Sequence, residues 1–410
     1  MKKDIWANRK LGEIADIIMG QSPDGNSIND TEGIEFHQGK LAFGDKYLEH
    51  SNNYTSKPTK IAPAHSLLLC VRAPIGTLNV TEREVCIGRG LCAINANNQT
   101  SNPFLYYALS NQQNYFEENA TGSTFKAIST ALIKGTRIPL PPLDVQNAIA
   151  NYLDEKTGQI DKSISLLDAQ KADLQAYRKA LIGKAVTKGI NPNVKLKDSG
   201  IQWIGQIPEE WSVVKMKHLL DGTLTYGANE PAESDNKEWP RYIRITDIAE
   251  NGSLKESTFK SLSPDKAENY LLQKGDVLFA RSGATVGKTF LFEENYPACF
   301  AGYLIKATPN KVKLNSKFLY FYTVSDAYES WKNSVYIQST IQNIGADKYS
   351  LLPISIPPLS EQEAIVAFLD QKTSAIDTAI ERINAQITEL QAYRTALISE
   401  AVTGKIDVRP

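Results

Sequence analysis

A chain of 410 residues with 42% hydrophobic content is long enough for two globular units with ordinary cores. Its formal net charge of −1 excludes a protein that coats nucleic acid by charge alone, but not a sequence reader whose basic residues cluster locally. The four cysteines (Cys70, Cys86, Cys92 and Cys299) form no CxxC, and only four histidines are present, so buried free thiols are expected rather than a disulfide framework or a zinc site.

In chain order, the start MKKDIWANRKLGEIAD carries charges and no apolar signal core. No run approaches the ~18 apolar residues of a membrane span, so a cytoplasmic protein is expected. Residues 1–143 show short runs rich in β-branched and aromatic residues, such as HSLLLCVRAPIGTLNV, punctuated by Gly, Pro and Asn. They read as a compact α+β or mainly β unit with one helix near Pro103–Asn111.

A block of fifty residues then begins at Pro141 and recurs, without a gap, from Pro357, with 27 of the 50 positions identical. In the first copy Leu153, Ile160, Leu167, Leu174 and Leu181 recur every seven residues. Leu369, Ile376, Ile383, Leu390 and Leu397 do so in the second. Ile164, Ile365, Ile380 and Ile387 widen each stripe. The heptads predict two long helices over 144–189 and 360–404 that pair antiparallel as a coiled coil. Burial of each stripe only on its own globular unit is the alternative. Pro141-Pro142 and Pro357-Pro358 mark the approaches, and Asp144 and Ser360 are expected N-caps, Ser360 forming a capping box with Glu363. Gly189 and Gly404 mark the ends. The shared LQAYR segments (Leu174–Arg178 and Leu390–Arg394) are too polar to be all seam, so their Tyr and Arg face either a partner or solvent.

A linker over 190–210 leads to a second globular unit, 211–359, with a helix near Ser316–Ser325, and a tail, 405–410, follows the second helix. Three segments link the globular units. Leu68–Arg72 aligns with Leu278–Arg281, Phe104–Tyr107 with Phe318–Phe321, and Ser123–Lys126 with Ser339–Gln342. Trp6 corresponds to Trp211, and the sequence after the second helix resumes where the N-terminus begins. These features predict α+β architecture: two similar globular domains separated by two long antiparallel coiled-coil helices, in a pseudo-two-fold circular arrangement with neighbouring termini.

The PPL…Q…A…L…LQAYR…AL helices, the segment DSGIQWIGQIPEEW at Asp198–Trp211 and the RAPIG and RSGATVGK loops resemble the specificity subunit of type I restriction-modification enzymes, over essentially the whole chain. The resemblance implies that each globular unit is a target recognition domain reading one half of a split, asymmetric double-stranded DNA site. It implies that the helices act as a ruler for the spacer. It further implies that two methyltransferase subunits dock on the frame and methylate adenine with S-adenosylmethionine bound in those subunits, and that restriction subunits join for cleavage. The chain itself would be non-catalytic and without a cofactor or metal. The segment before Trp6 lacks an equivalent of SGIQWIGQIPEE, a role the C-terminal end is expected to fill.

Two near-motifs are set aside. Ser282 stands where GxxxxGK[ST] needs glycine ahead of Gly287-Lys288-Thr289. Asn102-Pro103-Phe104 lacks one proline of the adenine-methyltransferase tetrapeptide, and no glycine-rich cofactor loop precedes it. A fused methyltransferase-recognition enzyme would need both a cofactor motif and the tetrapeptide. A coiled-coil adaptor without DNA contact would leave the two divergent domains unexplained.

The candidate DNA contacts are polar residues in corresponding loops. In the first unit they are Gln38, Lys40, Arg72, Arg89, Ser123, Thr124 and Lys126. In the second they are Arg241, Arg244, Thr246, Asp247, Arg281, Ser282, Lys288, Ser339, Gln342 and Asn343. Arg and Lys suit guanine O6/N7 or phosphate, Gln and Asn suit adenine, and Asp accepts from cytosine N4. Arg72 and Arg281 lead, because each ends an expected strand and enters a Gly-containing turn.

Overall fold

The computed structural model describes residues 6–122, 126–249, 252–337 and 343–408. The chain forms two compact units, one from Met1–Asp168 with Asn384–Pro410 and the other from Ala169–Ile383. The two long helices, Leu143–Lys188 and Leu359–Val402, are therefore each shared between units.

In the first unit, a four-stranded antiparallel sheet has the order Ala15–Met19, Leu91–Ala96, Leu67–Cys70, Leu78–Val80. A five-stranded mixed sheet pairs Ile34–His37 parallel to Val85–Ile87, with Phe36 opposite Cys86. A third ribbon joins Ala7–Lys10 to Arg137–Leu140. Leu67, Leu69, Cys92 and Ile94 pack on the helix Asn102–Ser110, whose Phe104 and Leu105 are buried with them.

The second unit repeats this plan, except that its parallel strands form a two-stranded rather than a five-stranded sheet among the described residues. Its antiparallel sheet runs Thr225–Tyr226, Leu304–Ala307, Val277–Ala280, Thr289–Leu291. Arg241–Ile243 lies parallel to Ala298–Phe300, with Tyr242 opposite Cys299. Ser212–Lys215 pairs with Pro353–Ile356, and the helix Ser316–Thr323 takes the place of Asn102–Ser110. All four cysteines are free and buried.

Within the first unit, the start of the first long helix runs antiparallel to the end of the second. Leu153 and Ile160 share one core with Leu397, Ile398 and Val402, and Arg394 Nε donates to Asp161 Oδ1 at 2.9 Å. Within the second unit, Arg178 Nε donates to Asp377 Oδ1 at 2.9 Å, and Gly189 lies against the Glu361 carboxylate. Arg178 and Arg394 are equivalent in the repeat, as are Asp161 and Asp377. Each copy's LQAYR arginine thus pairs with the other copy's aspartate. These half-exposed ion pairs contribute about 0–1 kcal/mol each, so they specify register more than stability. The stripes pair with each other, and Leu153 and Leu369 are buried in the globular cores as well, so packing on the globular unit alone does not hold.

The helices begin one residue earlier than expected. Leu143 and Leu359 are already helical, so Asp144 and Ser360 lie in the first turn, and the Pro142 and Pro358 carbonyls accept from the Gln146 and Gln362 N–H groups. Gln146 is fully buried; its Oε1 accepts from Ser101 N at 2.9 Å, and its Nε2 donates to Gln99 O and Pro141 O. Gln362 repeats all three bonds with Asn315 N, Lys313 O and Pro357 O. The glutamine of the repeated motif is thus the bracket that fixes each helix start to its own globular part.

At the far ends, Gly189 and Gly404 have φ of +74° and +70°. The Trp211 and Trp6 rings close on them, 3.4 Å and 3.1 Å from where a Cβ would stand. Trp6, Ile406 and Val408 pack on the first unit's core, which brings the start and the end of the described residues onto one core.

Candidate nucleic-acid interface

The loops carrying the candidate contacts are stitched into one edge in each unit. In the first, the Gln38 carbonyl abuts Gly90, where any Cβ would collide with it. Gly90 O accepts from Val71 N, and Val71 O accepts from Ile128 N. Arg72 bridges to Ala127, beside Lys126. Gln38, Lys40, Arg72, Arg89 and Lys126 are all exposed along this edge. Among them Gln38 accepts a hydrogen bond from Ser22 Oγ at 3.3 Å. Ser123 and Thr124 lie outside the described residues.

In the second unit, Tyr303 O accepts from Arg281 N, and Arg281 O accepts from Ile344 N. Ser282 bridges to Asn343, which is exposed. Ser339 and Gln342 lie outside the described residues. The Arg281 guanidinium sits 5.1 Å above the Tyr226 ring, and its Nε is buried without a partner. Tyr226 is itself held, its hydroxyl accepting from Ala346 N at 3.0 Å.

The hydrogen-bond register corrects one alignment. Leu91 faces Cys70 in the first unit, and Leu304 faces Ala280 in the second. Val71 therefore occupies the place of Arg281, and Arg72 that of Ser282. The two arginines expected to correspond stand one residue apart, on opposite faces of the strand exit. Val71 is buried and Arg72 exposed, while Arg281 is half-buried against Tyr226. By the same pairing, Gly90 stands where Tyr303 does.

Three further candidates face inward. Arg241 is 4% exposed; it donates to Glu256 Oε1, Lys255 O and Tyr296 Oη and lies 5.4 Å over Phe259. Asp247 is 1% exposed and accepts from the backbone and guanidinium of Arg244, which also donates to Thr258 O. Arg241, Arg244 and Asp247 thus fold the loop, and Asp247 has no carboxylate free for cytosine. Thr246, between them, is exposed. Lys288 Nζ donates to Ile248 O at 3.0 Å.

The first unit anchors the equivalent strand with opposite charge. At the register of Arg241 stands Glu35, which accepts from Arg83 Nη2 at 2.6 Å, His50 Nδ1 at 2.5 Å and His37 Nε2 at 3.2 Å. Burial pushes its carboxyl up, but the bonds from Arg83, His50 and His37 outweigh this and bring the pKa down to about 2. Burial lowers the pKa of His37, against the opposing pull of Glu35. Inward charge under both loops gives the exposed tips a fixed base.

The near-motifs have local structural roles. Gly283–Thr285 is a short 3₁₀ turn, and Asn102 bridges Ala96 N and His65 O at a helix start. Among the described residues no cluster of His, Cys, Asp or Glu is arranged to hold a metal, and no helix is long and apolar enough to cross a membrane. Sequence reasoning missed Leu41, Tyr226 and Tyr303, which are 98%, 44% and 64% exposed on these edges. Apolar and aromatic side chains in turns and short strands carry no sequence mark separating exposure from burial.

A family model described as "Type I restriction modification DNA specificity domain" matches residues 3–174 and 208–389. The putative type I restriction enzyme MjaX specificity subunit of Methanocaldococcus jannaschii is 38% identical over 173 residues, 42% of this chain and 40% of that protein. The MjaVIII specificity subunit of the same organism is 22% identical over 98% of this chain and 93% of its own length. A chain from a structure titled "Structural basis underlying complex assembly and conformational transition of the type I R-M system" superposes with a TM-score of 0.77 at 17% identity, covering 98% of this chain and 99% of that one. The HsdS subunit from Thermoanaerobacter tengcongensis gives a TM-score of 0.51 at 18% identity, with 98% of both chains covered. The repeated helical frame, the twice-built loop edge and a family match spanning both units together make this chain a member of the type I restriction-modification DNA specificity family.

Proposed function

We propose that the chain is the non-catalytic specificity subunit of a type I restriction-modification complex and reads a bipartite, asymmetric DNA site, one half per globular unit. The observation that carries this reading is the pair of equivalent edges built on near-identical frames. Backbone bonds, strand register and bracketing glutamines are repeated, while the side chains at equivalent edge positions differ: Val71 against Arg281, Arg72 against Ser282, Gly90 against Tyr303. A frame held constant while its rim varies suits a protein that must read two different half-sites. Lys40, Arg72, Arg89 and Lys126 offer positive charge to phosphate or guanine on one rim, and Arg281 does so on the other.

In this reading residues 1–143 and 211–359 are the recognition domains, and 144–189 and 360–404 the spacer helices. Two methyltransferase subunits, carrying S-adenosylmethionine, dock on the frame, and restriction subunits join them. The test is to assemble the chain with its methyltransferase partner and map methylated adenines across a genome. A two-part motif with a fixed spacer supports the proposal; random or single-block methylation refutes it.

A further inference from the structure

Leu41 is 98% exposed at the middle of the 3₁₀ turn Lys40–Ala42. A single exposed leucine needs no explanation by itself. This one sits on a turn fixed at both ends. Gly88 N donates to His37 O at 2.8 Å, Phe43 N to Lys40 O at 2.9 Å and Glu49 N to Ala42 O at 2.9 Å. The Gln38 carbonyl is locked against Gly90, and His37 is anchored on Glu35. The side chain is thus held out on a rigid base, next to exposed Lys40 and three residues past exposed Gln38, whose carbonyl lies against Gly90 of the turn that carries exposed Arg89.

The second unit builds a like turn one residue nearer its anchored strand, at Ile245–Asp247, with Ile248 N donating to Ile245 O. Its middle residue is Thr246, also exposed. The tip is therefore conserved in architecture and changed in chemistry, from isobutyl to hydroxyl. No fold requirement explains the leucine, because it touches no core.

We propose that Leu41 is a base-reading side chain that packs its isobutyl group on the C5 methyl of a thymine in the half-site met by the first unit. Major-groove recognition of an A·T pair uses an amide for the adenine N6/N7 edge and an apolar group for the thymine methyl. Gln38, just ahead of the turn, and Leu41, at its middle, supply both from one loop, with Lys40 and Arg89 offering charge to adjacent phosphates. The inference rests on the DNA-reading function proposed above.

The experiment measures binding of the full chain, assembled with its methyltransferase partner, to its mapped site. Each thymine of that site is replaced singly by deoxyuridine, which removes only the methyl. One position in the first unit's half should lose affinity by about fourfold, the factor that one buried methyl is worth. Leu41→Ala should unfold thermally as the parent does, bind the native site more weakly, and show no difference between thymine and uracil at that position. Uracil substitutions in the other half should behave alike in both proteins. The proposal is overturned if no thymine methyl in that half matters, or if the uracil penalty persists in Leu41→Ala. DNA bending that depends on Leu41 while uracil has no effect would make the residue a minor-groove wedge instead, and equally overturns it. Absence of any sequence-dependent binding by the parent complex would remove the DNA-reading function itself, an outcome distinct from a flat uracil scan on a well-bound site.

Discussion

Substituting Gln146 by Ala tests whether the repeated glutamine holds each helix to its globular part. The side chain is fully buried and makes three bonds, to Ser101 N at 2.9 Å, Gln99 O at 3.0 Å and Pro141 O at 2.8 Å. Alanine removes all three partners at once and leaves space that only water could fill. An unsatisfied buried polar group costs about 1–3 kcal/mol, and water in the space offsets part of that. Taking the low end for each of three groups gives roughly 3 kcal/mol. For a unit of this size that corresponds to a melting temperature about 6–12 °C lower. Calorimetry should show the transition of the first unit move and that of the second stay. Amide exchange at Ser101 should accelerate, because its N–H loses its acceptor. Gln362→Ala should reverse the pattern, exposing Asn315 N. A loss below about 0.5 kcal/mol, the range of ordinary surface substitutions, with unchanged exchange at Ser101, would refute the bracket.

Arg281→Ala should weaken recognition of one half-site only, by about 1–3 kcal/mol with relaxed preference at one base pair if it reads a base, or with a salt slope smaller by about one if it meets phosphate. Arg72→Ala should act on the other half, and competition binding on DNAs varied one half at a time separates these outcomes. Acidification should destabilise the first unit selectively. His37 is held below its ordinary pKa of 6.5 by burial, so the unfolded chain takes up its proton first and stability falls as pH drops through that region. Glu35, depressed from 4.5 to about 2, adds a second loss as pH falls through that lower window. Unfolding curves of His37→Gln should lack the first loss; persistence of the full pH dependence would show that other groups cause it. Two heptads inserted into both long helices add roughly 20 Å of helix, equal to at most about six base pairs of B-DNA. Methylation mapping should then show a longer spacer between unchanged half-sites, and an unchanged spacer in an active variant would rule out the ruler.

The sequence determined the frame because its information is periodic and repeated. Seven-residue spacing marked both long helices, and two copies of one block forced equal registers, hence the reciprocal Arg178–Asp377 and Arg394–Asp161 pairs. Trp6, Trp211 and the glycines at 189 and 404 were visible as matching marks, and the structure joins them. The helices start at Leu143 and Leu359, one residue ahead of what the proline pairs indicate, because proline ends its own constraint where its carbonyl begins to accept from the helix. The edges were not legible in the same way. Loop alignment placed Arg72 on Arg281, and only the Leu91–Cys70 and Leu304–Ala280 pairings set the register that separates them. A one-residue slip in an extended strand sends a side chain to the other face. Arg241 and Asp247 looked like readers because charge suits both a DNA surface and a buried bracket. Distance to Glu256 and Arg244 decides between those roles, and distance across a fold is tertiary. Leu41 is the converse: its composition says core, and only a turn pinned by backbone bonds holds it in water.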